Sequence, residues 1–136
     1  MTAQYGIGDA SYQAAGGYRG LVTLAEDFYD AMGTLPEAKR ILDMHPKDLT
    51  ESKDKLARFL CGWLGGENRY IEKYGRINIP SAHMHLPIAS EDRDAWLLCM
   101  KHALTKQSYA PEFKAYLLEQ LSIPAERIRQ VCGHAR

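Results

Sequence analysis

The sequence predicts an all-α domain, and three observations carry that prediction. Apolar residues recur at steps of three and four along four long stretches. Each stretch is bounded by residues that start or stop helices. No stretch shows the sustained apolar–polar alternation of a strand. With 136 residues the chain has the length of a single domain, residues 1–136, that can bury its own core.

Residues 1 to 8, with Gly6 and Gly8, are expected to fray. Asp9 is a candidate cap for a short helix that Gly16 and Gly17 end. A helix from Tyr18 to about Met32 follows, its stripe made of Leu21, Leu24, Ala25, Phe28 and Met32. Tyr29 falls at the edge of that stripe, where a tyrosine ordinarily keeps its hydroxyl in water. Gly33 and Pro36 punctuate the next stretch, and residues 37 to 43 read as a short helical turn. His45 is held extended by Pro46 and, on its own, reads as a surface loop residue. Asp48 and Glu51 have capping-box spacing, so a helix should start near Leu49. Its apolar face is Leu49, Leu56, Phe59, Leu60, Trp63 and Leu64, and Gly65–Gly66 end it. Ser52 and Leu56 lie one turn apart and point the same way.

Residues 67 to 90 are broken by Gly75, Pro80 and Pro87 and have little periodicity. A stretch of this kind inside a compact domain is usually functional. It contains His83 and His85. Ser90 is a good N-cap, and Glu91 and Asp92 place negative charge in the first turn of the helix that follows. That helix carries Trp96, Cys99, Met100, Ala103 and Leu104. A last helix starts near Pro111, a favoured first helical position, and uses Phe113, Tyr116, Leu117 and Leu121. Pro124 is expected to kink or restart it before Ile128 and Val131.

Composition narrows the function classes. Lys plus Arg and Asp plus Glu each number 17, so the net charge is 0 and offers no footprint for nucleic acid or an anionic membrane. Cys61, Cys99 and Cys132 show no CxxC spacing, which argues against a disulfide scaffold or zinc ribbon and suits a reducing cytoplasm. No signal peptide is expected at the N-terminus, and no stretch approaches the roughly 20 apolar residues of a membrane span. GxSxG and phosphate-loop signatures are absent, and no cysteine has a local histidine partner. His83-Met84-His85 suggests a metal pair, but zinc needs further ligands that no HExxH or CxxC supplies. Haem asks for less: an apolar slot between helices, one axial histidine and suitable groups on the ligand side. A histidine on the irregular segment, followed thirteen positions later by the donor-tipped Trp96, meets that description, as it does in many proteins. The lack of CxxCH makes any haem a non-covalent haem b.

The residues then resemble a known family. Gly16-Gly17, Phe28-Tyr29, His45-Pro46 with Asp48-Leu49, Phe59, Trp63-Leu64-Gly65-Gly66, Tyr70, His83 and the run Arg93-Asp94-Ala95-Trp96-Leu97-Leu98-Cys99-Met100 form a series of landmarks over about residues 12 to 105. In these landmarks the chain resembles the group II truncated haemoglobins. The resemblance implies a truncated globin fold, a two-on-two helical sandwich around haem. It implies His83 as the proximal iron ligand, with His85 standing where a proline is common. On the ligand side it implies Tyr29, His45, Ser52, Leu56 and Trp96. The arginine common just before the proximal histidine is replaced by Ala82, so Lys55 or Arg76 is expected to meet the haem propionates. Phe59, Trp63, Tyr70, Met84, Ile88 and Met100 complete the implied haem contacts.

The implied site calls for donors. The Trp96 indole can only donate, the Tyr29 hydroxyl donates and accepts, and His45 does either according to its tautomer. Three such tips around one ligand form a network in which each bond polarises the next. Two classes of function follow: reversible binding of oxygen, carbon monoxide or nitric oxide for transport, storage or sensing, and redox enzymology of a nitric oxide dioxygenase or peroxidase type. The second requires a separate reductase, because the chain has no flavin or nicotinamide domain. A haem-free helical interaction module is the third class. A cytoplasmic monomer or homodimer is expected.

Overall fold

The computed structural model describes residues 5–76, 83 and 86–134 (133 and 134 as backbone only), and among the described residues the regular structure is α-helix with one 3-10 turn. The helices are α1 (Ala10–Ala14), α2 (Gly17–Thr34), α3 (Lys39–Asp43, led by a 3-10 turn at Pro36–Ala38), α4 (Thr50–Trp63), α5 (Arg69–Tyr74), α6 (Ser90–Thr105) and α7 (Pro111–His134). α2 packs on both α4 and α6, and α6 packs on α7, so one helix pair lies against another. The contact is made by the stripes that the sequence predicts. Leu21, Leu24, Phe28 and Met32 of α2 meet Leu60 and Cys61 of α4, Cys99 and Met100 of α6, and Phe113, Leu117 and Leu121 of α7. Each large side chain fully buried in this way contributes about 1.5–3 kcal/mol. Among the described residues no helix is long and apolar enough to cross a membrane.

The helix ends differ from the sequence reading in instructive ways. Asp48 accepts the Thr50 N–H at 3.0 Å, so α4 begins at Thr50, and Glu51 pairs with Lys55 at 3.3 Å instead of closing a capping box. Ser90 is the first residue of α6, not its cap. Ala89 holds the cap position without a side-chain acceptor of its own, and the Asp92 carboxylate reaches back to accept the Ala89 N–H at 2.8 Å. Asp9 stands at the cap of α1 but accepts from the Gln13 amide at 3.1 Å. α5 forms inside the segment that shows little periodicity. α7 continues through Pro124 without a restart. Proline removes a single intrahelical bond there, and buried Leu117, Leu121 and Cys132 hold the helix on either side.

At the N-terminus, Tyr5 packs its ring on Phe113 and Tyr116, both at 5.1 Å, and Gly6 donates to Ser11 Oγ at 2.9 Å. The turn from α1 into α2 runs through Gly16, whose φ of 84° favours glycine. The Ala15 carbonyl there accepts the Tyr109 hydroxyl at 2.9 Å and presses on the first turn of α2. A Cβ at Gly20 would lie 2.0 Å from that carbonyl oxygen, whereas one at Gly33, on the same helix, would meet nothing within 4 Å. Replacing a helical glycine by alanine ordinarily stabilises by about 0.5–1 kcal/mol. Gly33→Ala should therefore raise the denaturation midpoint. Gly20→Ala should lower it, since forced overpacking costs about 1–3 kcal/mol and outweighs the propensity gain. Chemical denaturation of both variants beside the parent checks the opposite signs; two shifts of the same sign would contradict the packing argument.

Candidate functional site

A cavity of about 390 Å³ opens between the helix pairs, within the usual range of small-molecule pockets. α2 contributes Tyr29, and α3 with the residues after it contributes Ile41, Met44 and His45. α4 lends Ser52, Lys55, Leu56 and Phe59, and α5 lends Tyr70. His83 follows, then Leu86 and Ile88, then Asp92, Arg93 and Trp96 of α6. Leu121, Pro124, Ala125 and Ile128 of α7 complete the lining.

The polar tips are held by aromatic packing. Phe28, fully buried, stands edge-on to Tyr29 at 5.0 Å and tilted against Trp96 at 4.9 Å. Tyr29 in turn stands edge-on to His45 at 5.5 Å. Burial pushes the Tyr29 phenol up to about 12, so it remains a protonated donor at neutral pH. His45 Nδ1 lies 2.7 Å from the Ile41 carbonyl. A carbonyl only accepts, so Nδ1 carries the proton and Nε2 of the neutral ring is an acceptor. Among the described residues no hydrogen bond joins Tyr29, His45 and Trp96 directly.

His83 has helical backbone, and its carbonyl accepts the Leu86 N–H at 2.9 Å and the Cys132 thiol at 3.1 Å. That tie reaches from α7 to the histidine segment. Asp92, only 3 % exposed, receives Arg40 Nε at 3.0 Å, while Arg40 Nη2 donates to the Pro87 carbonyl at 2.7 Å. One guanidinium thus joins α3 to the start of α6. Asp54 Oδ2 accepts from Tyr74, Lys73 and Arg58 at 2.6, 2.9 and 2.9 Å and joins α4 to α5. Burial pushes the Asp54 carboxyl up, but the hydrogen bonds from Tyr74, Lys73 and Arg58 outweigh it and bring it down to about 2. Burial also pushes the Cys99 thiol up to about 11, so it offers no thiolate at neutral pH.

Of the residues singled out from the sequence, Tyr29, His45, Ser52, Lys55, Leu56, Phe59, Tyr70, His83, Ile88 and Trp96 are brought together around the cavity. Three are not. Trp63 is 37 % exposed and stacks on Phe59 at 6.0 Å, Met100 is wholly buried in the core, and Arg76 is exposed away from the lining. Met84 and His85 lie outside the described residues. Sequence reasoning missed Ile41, Met44, Leu86, Asp92, Arg93 and the whole contribution of α7. Leu121, Ala125 and Ile128 do have helical spacing, but spacing alone does not say what a stripe faces.

An apolar slot with the His83 imidazole on its wall, a second imidazole, a protonated phenol and an indole elsewhere, and the Lys55 ammonium on its lining suits haem. A helical sandwich enclosing such a slot is a globin. The chain matches the bacterial-like globin family over residues 10–129. It is 34 % identical over 120 residues to the group 2 truncated hemoglobin YjbI of Bacillus subtilis (strain 168), covering 88 % of each chain. Its fold superposes on the cold-adapted truncated hemoglobin of Pseudoalteromonas haloplanktis TAC125 with a TM-score of 0.83 at 32 % identity, covering 87 % of this chain and 95 % of that one. It superposes on the group II 2-on-2 hemoglobin of Agrobacterium tumefaciens with a TM-score of 0.82 at 34 % identity, covering 88 % and 92 %. The chain belongs to the bacterial-like globins and, within them, to the group II truncated haemoglobins, and its cofactor is haem.

The Asp54 cluster predicts a pH dependence. A carboxyl held at about 2 in the fold, against an ordinary 3.8, contributes stability that is fully present above 3.8 and is lost as pH falls through 2. Asp54→Asn should cost about 1 kcal/mol at neutral pH, after allowance for screening near solvent. The difference from the parent should shrink below pH 3.8 and vanish only below pH 2. Denaturation midpoints measured across that range check it; a difference that grows on acidification would contradict the assignment.

Proposed function

We propose that this globin binds oxygen and other diatomic gases at a five-coordinate haem iron ligated by His83, under the control of Trp96, Tyr29 and His45. The observation that supports this most is the gathering of His83 and these three polar tips on the wall of one otherwise largely apolar cavity. Haem, when bound, supplies an iron that takes diatomic gases. The chain's own part is to hold and polarise them. The His83 imidazole is the group to ligate iron, its backbone held by Leu86 and Cys132. Apolar Leu56, Phe59, Ile88 and Ile128 exclude water. Lys55 is the cation on the lining for the propionates, shared with Glu51 at 3.3 Å. Trp96 donates its indole N–H, and Tyr29 donates its hydroxyl to the gas or to His45 Nε2, which accepts. In a dry cavity such donors are worth more than in water. The structurally similar truncated haemoglobin of Bacillus subtilis is described as oxygen-avid.

The same donors support a second reading. Oxygen held strongly makes a poor carrier and suits redox turnover of nitric oxide or peroxide, with electrons from a separate reductase. Loss of bound oxygen on mixing with nitric oxide, with nitrate as product, would favour that reading; simple displacement of oxygen would favour carriage or sensing.

His83→Ala should lose most haem, or hold it only when imidazole is supplied, while His85→Ala keeps it. Absorption spectra of the purified variants check this, and the reverse pattern would transfer the ligand role to His85.

Of the three polar tips, Trp96 alone can only donate, and Trp96→Phe removes it. A hydrogen bond to a charged group is worth about 1.5–3 kcal/mol, so oxygen release should speed up by roughly ten- to a hundredfold. Carbon monoxide, which gathers little negative charge, should be released at nearly the parent rate. Stopped-flow rates for Trp96→Phe, Tyr29→Phe and the double variant decide it. Equal effects on both gases would mean steric packing, and strictly additive effects would mean that the two donors act separately.

A further inference from the structure

One helix reaches the cavity without a role in gas binding. α5 does so through Tyr70, and Tyr74 lies one turn further on. The two rings are in contact, with centroids 5.1 Å apart. Tyr74 is half-buried, and its hydroxyl donates to Asp54 at 2.6 Å, the ordinary length for a hydroxyl on a carboxylate. The ammonium groups of Lys55 and Lys73 stand 5.2 and 5.3 Å from the Tyr74 ring centre. These contacts lead from the cavity wall to a phenol near solvent whose proton already points at an ionised acid.

That arrangement has a chemical consequence. A phenol that loses an electron becomes a strong acid. Two ammonium groups beside the ring penalise a ring that keeps the positive charge. The electron therefore leaves Tyr74 together with its proton, and the carboxylate is in place to take it. The charge left behind settles on the lysine–arginine cluster, near solvent, where water and salt screen it. Tyr29 and Trp96 also line the cavity, yet among the described residues no carboxylate accepts from either.

We propose that Tyr74 is a one-electron oxidation site connected to the haem cavity through Tyr70, with Asp54 as its proton acceptor. Its oxidant is hydrogen peroxide acting at the haem, and its substrates are small phenolic reductants in solution. This rests on the haem-binding reading and on peroxide reaching the iron. Reducing peroxide to two waters takes two electrons and two protons. Tyr74 would supply one electron by way of Tyr70, bound haem would supply the other, and solvent would supply the two protons. The Tyr74 O–H bond breaks, its proton passes to Asp54 Oδ2, and a neutral phenoxyl radical remains. A phenol in solution then returns an electron and a proton to Tyr74 and leaves as its own phenoxyl radical, Asp54 gives its proton back to solvent, and a second phenol would return the electron that haem supplied.

The test mixes ferric haem-loaded protein with hydrogen peroxide, freezes it rapidly and records electron paramagnetic resonance. The parent should show a tyrosyl radical whose spectrum narrows when the chain carries ring-deuterated tyrosine. Added phenol should shorten the life of that radical. Tyr74→Phe should lose most of the signal while the haem absorption band answers peroxide at the parent rate. Tyr70→Phe should delay the signal, and Asp54→Asn, which retains the Tyr74 phenol, should weaken it. A full signal in Tyr74→Phe, or one in the parent that phenol leaves unchanged, overturns the proposal. So does a haem band that does not respond to peroxide. In that case carbon monoxide binding by the same sample shows separately whether the gas-binding reading stands.

Discussion

The packing of Phe28 against Trp96, where α2 meets α6, is the contact on which the rest of the site depends. Phe28 is wholly buried and has no polar atom, yet it positions two residues that do. One edge of the contact sets Trp96. The neighbouring ring, Tyr29, stands edge-on to it and in turn sets His45. Aromatic pairs of this kind add about 0.5–1.5 kcal/mol beyond the area they bury. Their greater effect here is geometric, because a donor locked by its neighbours needs no reorganisation when a ligand arrives. The Ile41 carbonyl completes the sequence by fixing which nitrogen of His45 carries the proton.

Charged side chains secure the helices that surround the cavity, and they do not contribute equally. Glu126 joins α6 to α7 through Arg93, and its hydrogen bonds from Arg129 and then Arg93 bring it down to about 2, but it lies at the surface, where screening is strong. Asp92 is different. Its carboxylate is 3 % exposed, and although the Ala89 N–H also donates to it, Arg40 brings the compensating charge that a buried carboxylate requires. Arg40 therefore has more influence than its own exposure suggests, since it satisfies the one buried carboxylate of α6 and the Pro87 carbonyl together.

Much of this arrangement is legible in the sequence. Stripes such as Leu21, Leu24, Phe28 and Met32 identify the faces that meet, because helix period and burial are local properties. His45 and Tyr29 are less legible by themselves. As isolated residues they read as a loop histidine and an edge tyrosine, and the series of family landmarks gives them a place in the pocket. Lys55 and Tyr70 also line the cavity, whereas Trp63 turns outward and Met100 turns into the core. Each lies four positions beyond a lining residue of its own helix, Phe59 or Trp96, so helical spacing alone does not separate it from the lining. The Arg40–Asp92 link spans 52 residues and joins two elements whose relative placement no local pattern records. The stripe of α7 is visible in the sequence, but its partner is not.

The Tyr109 hydroxyl and the Ala15 carbonyl, 94 residues apart, form a latch that encloses most of the chain, the gas-binding cavity included. Closing so long a loop costs entropy before the bond returns any stability. The latch therefore belongs to the last steps of folding, after α2, α4 and α6 have met. A bond made late weighs little on how fast the protein folds and mainly on how slowly it comes apart. The elbow at Gly16 and the crowded first turn at Gly20 thus act in kinetic terms. They retard the opening of the fold around its haem.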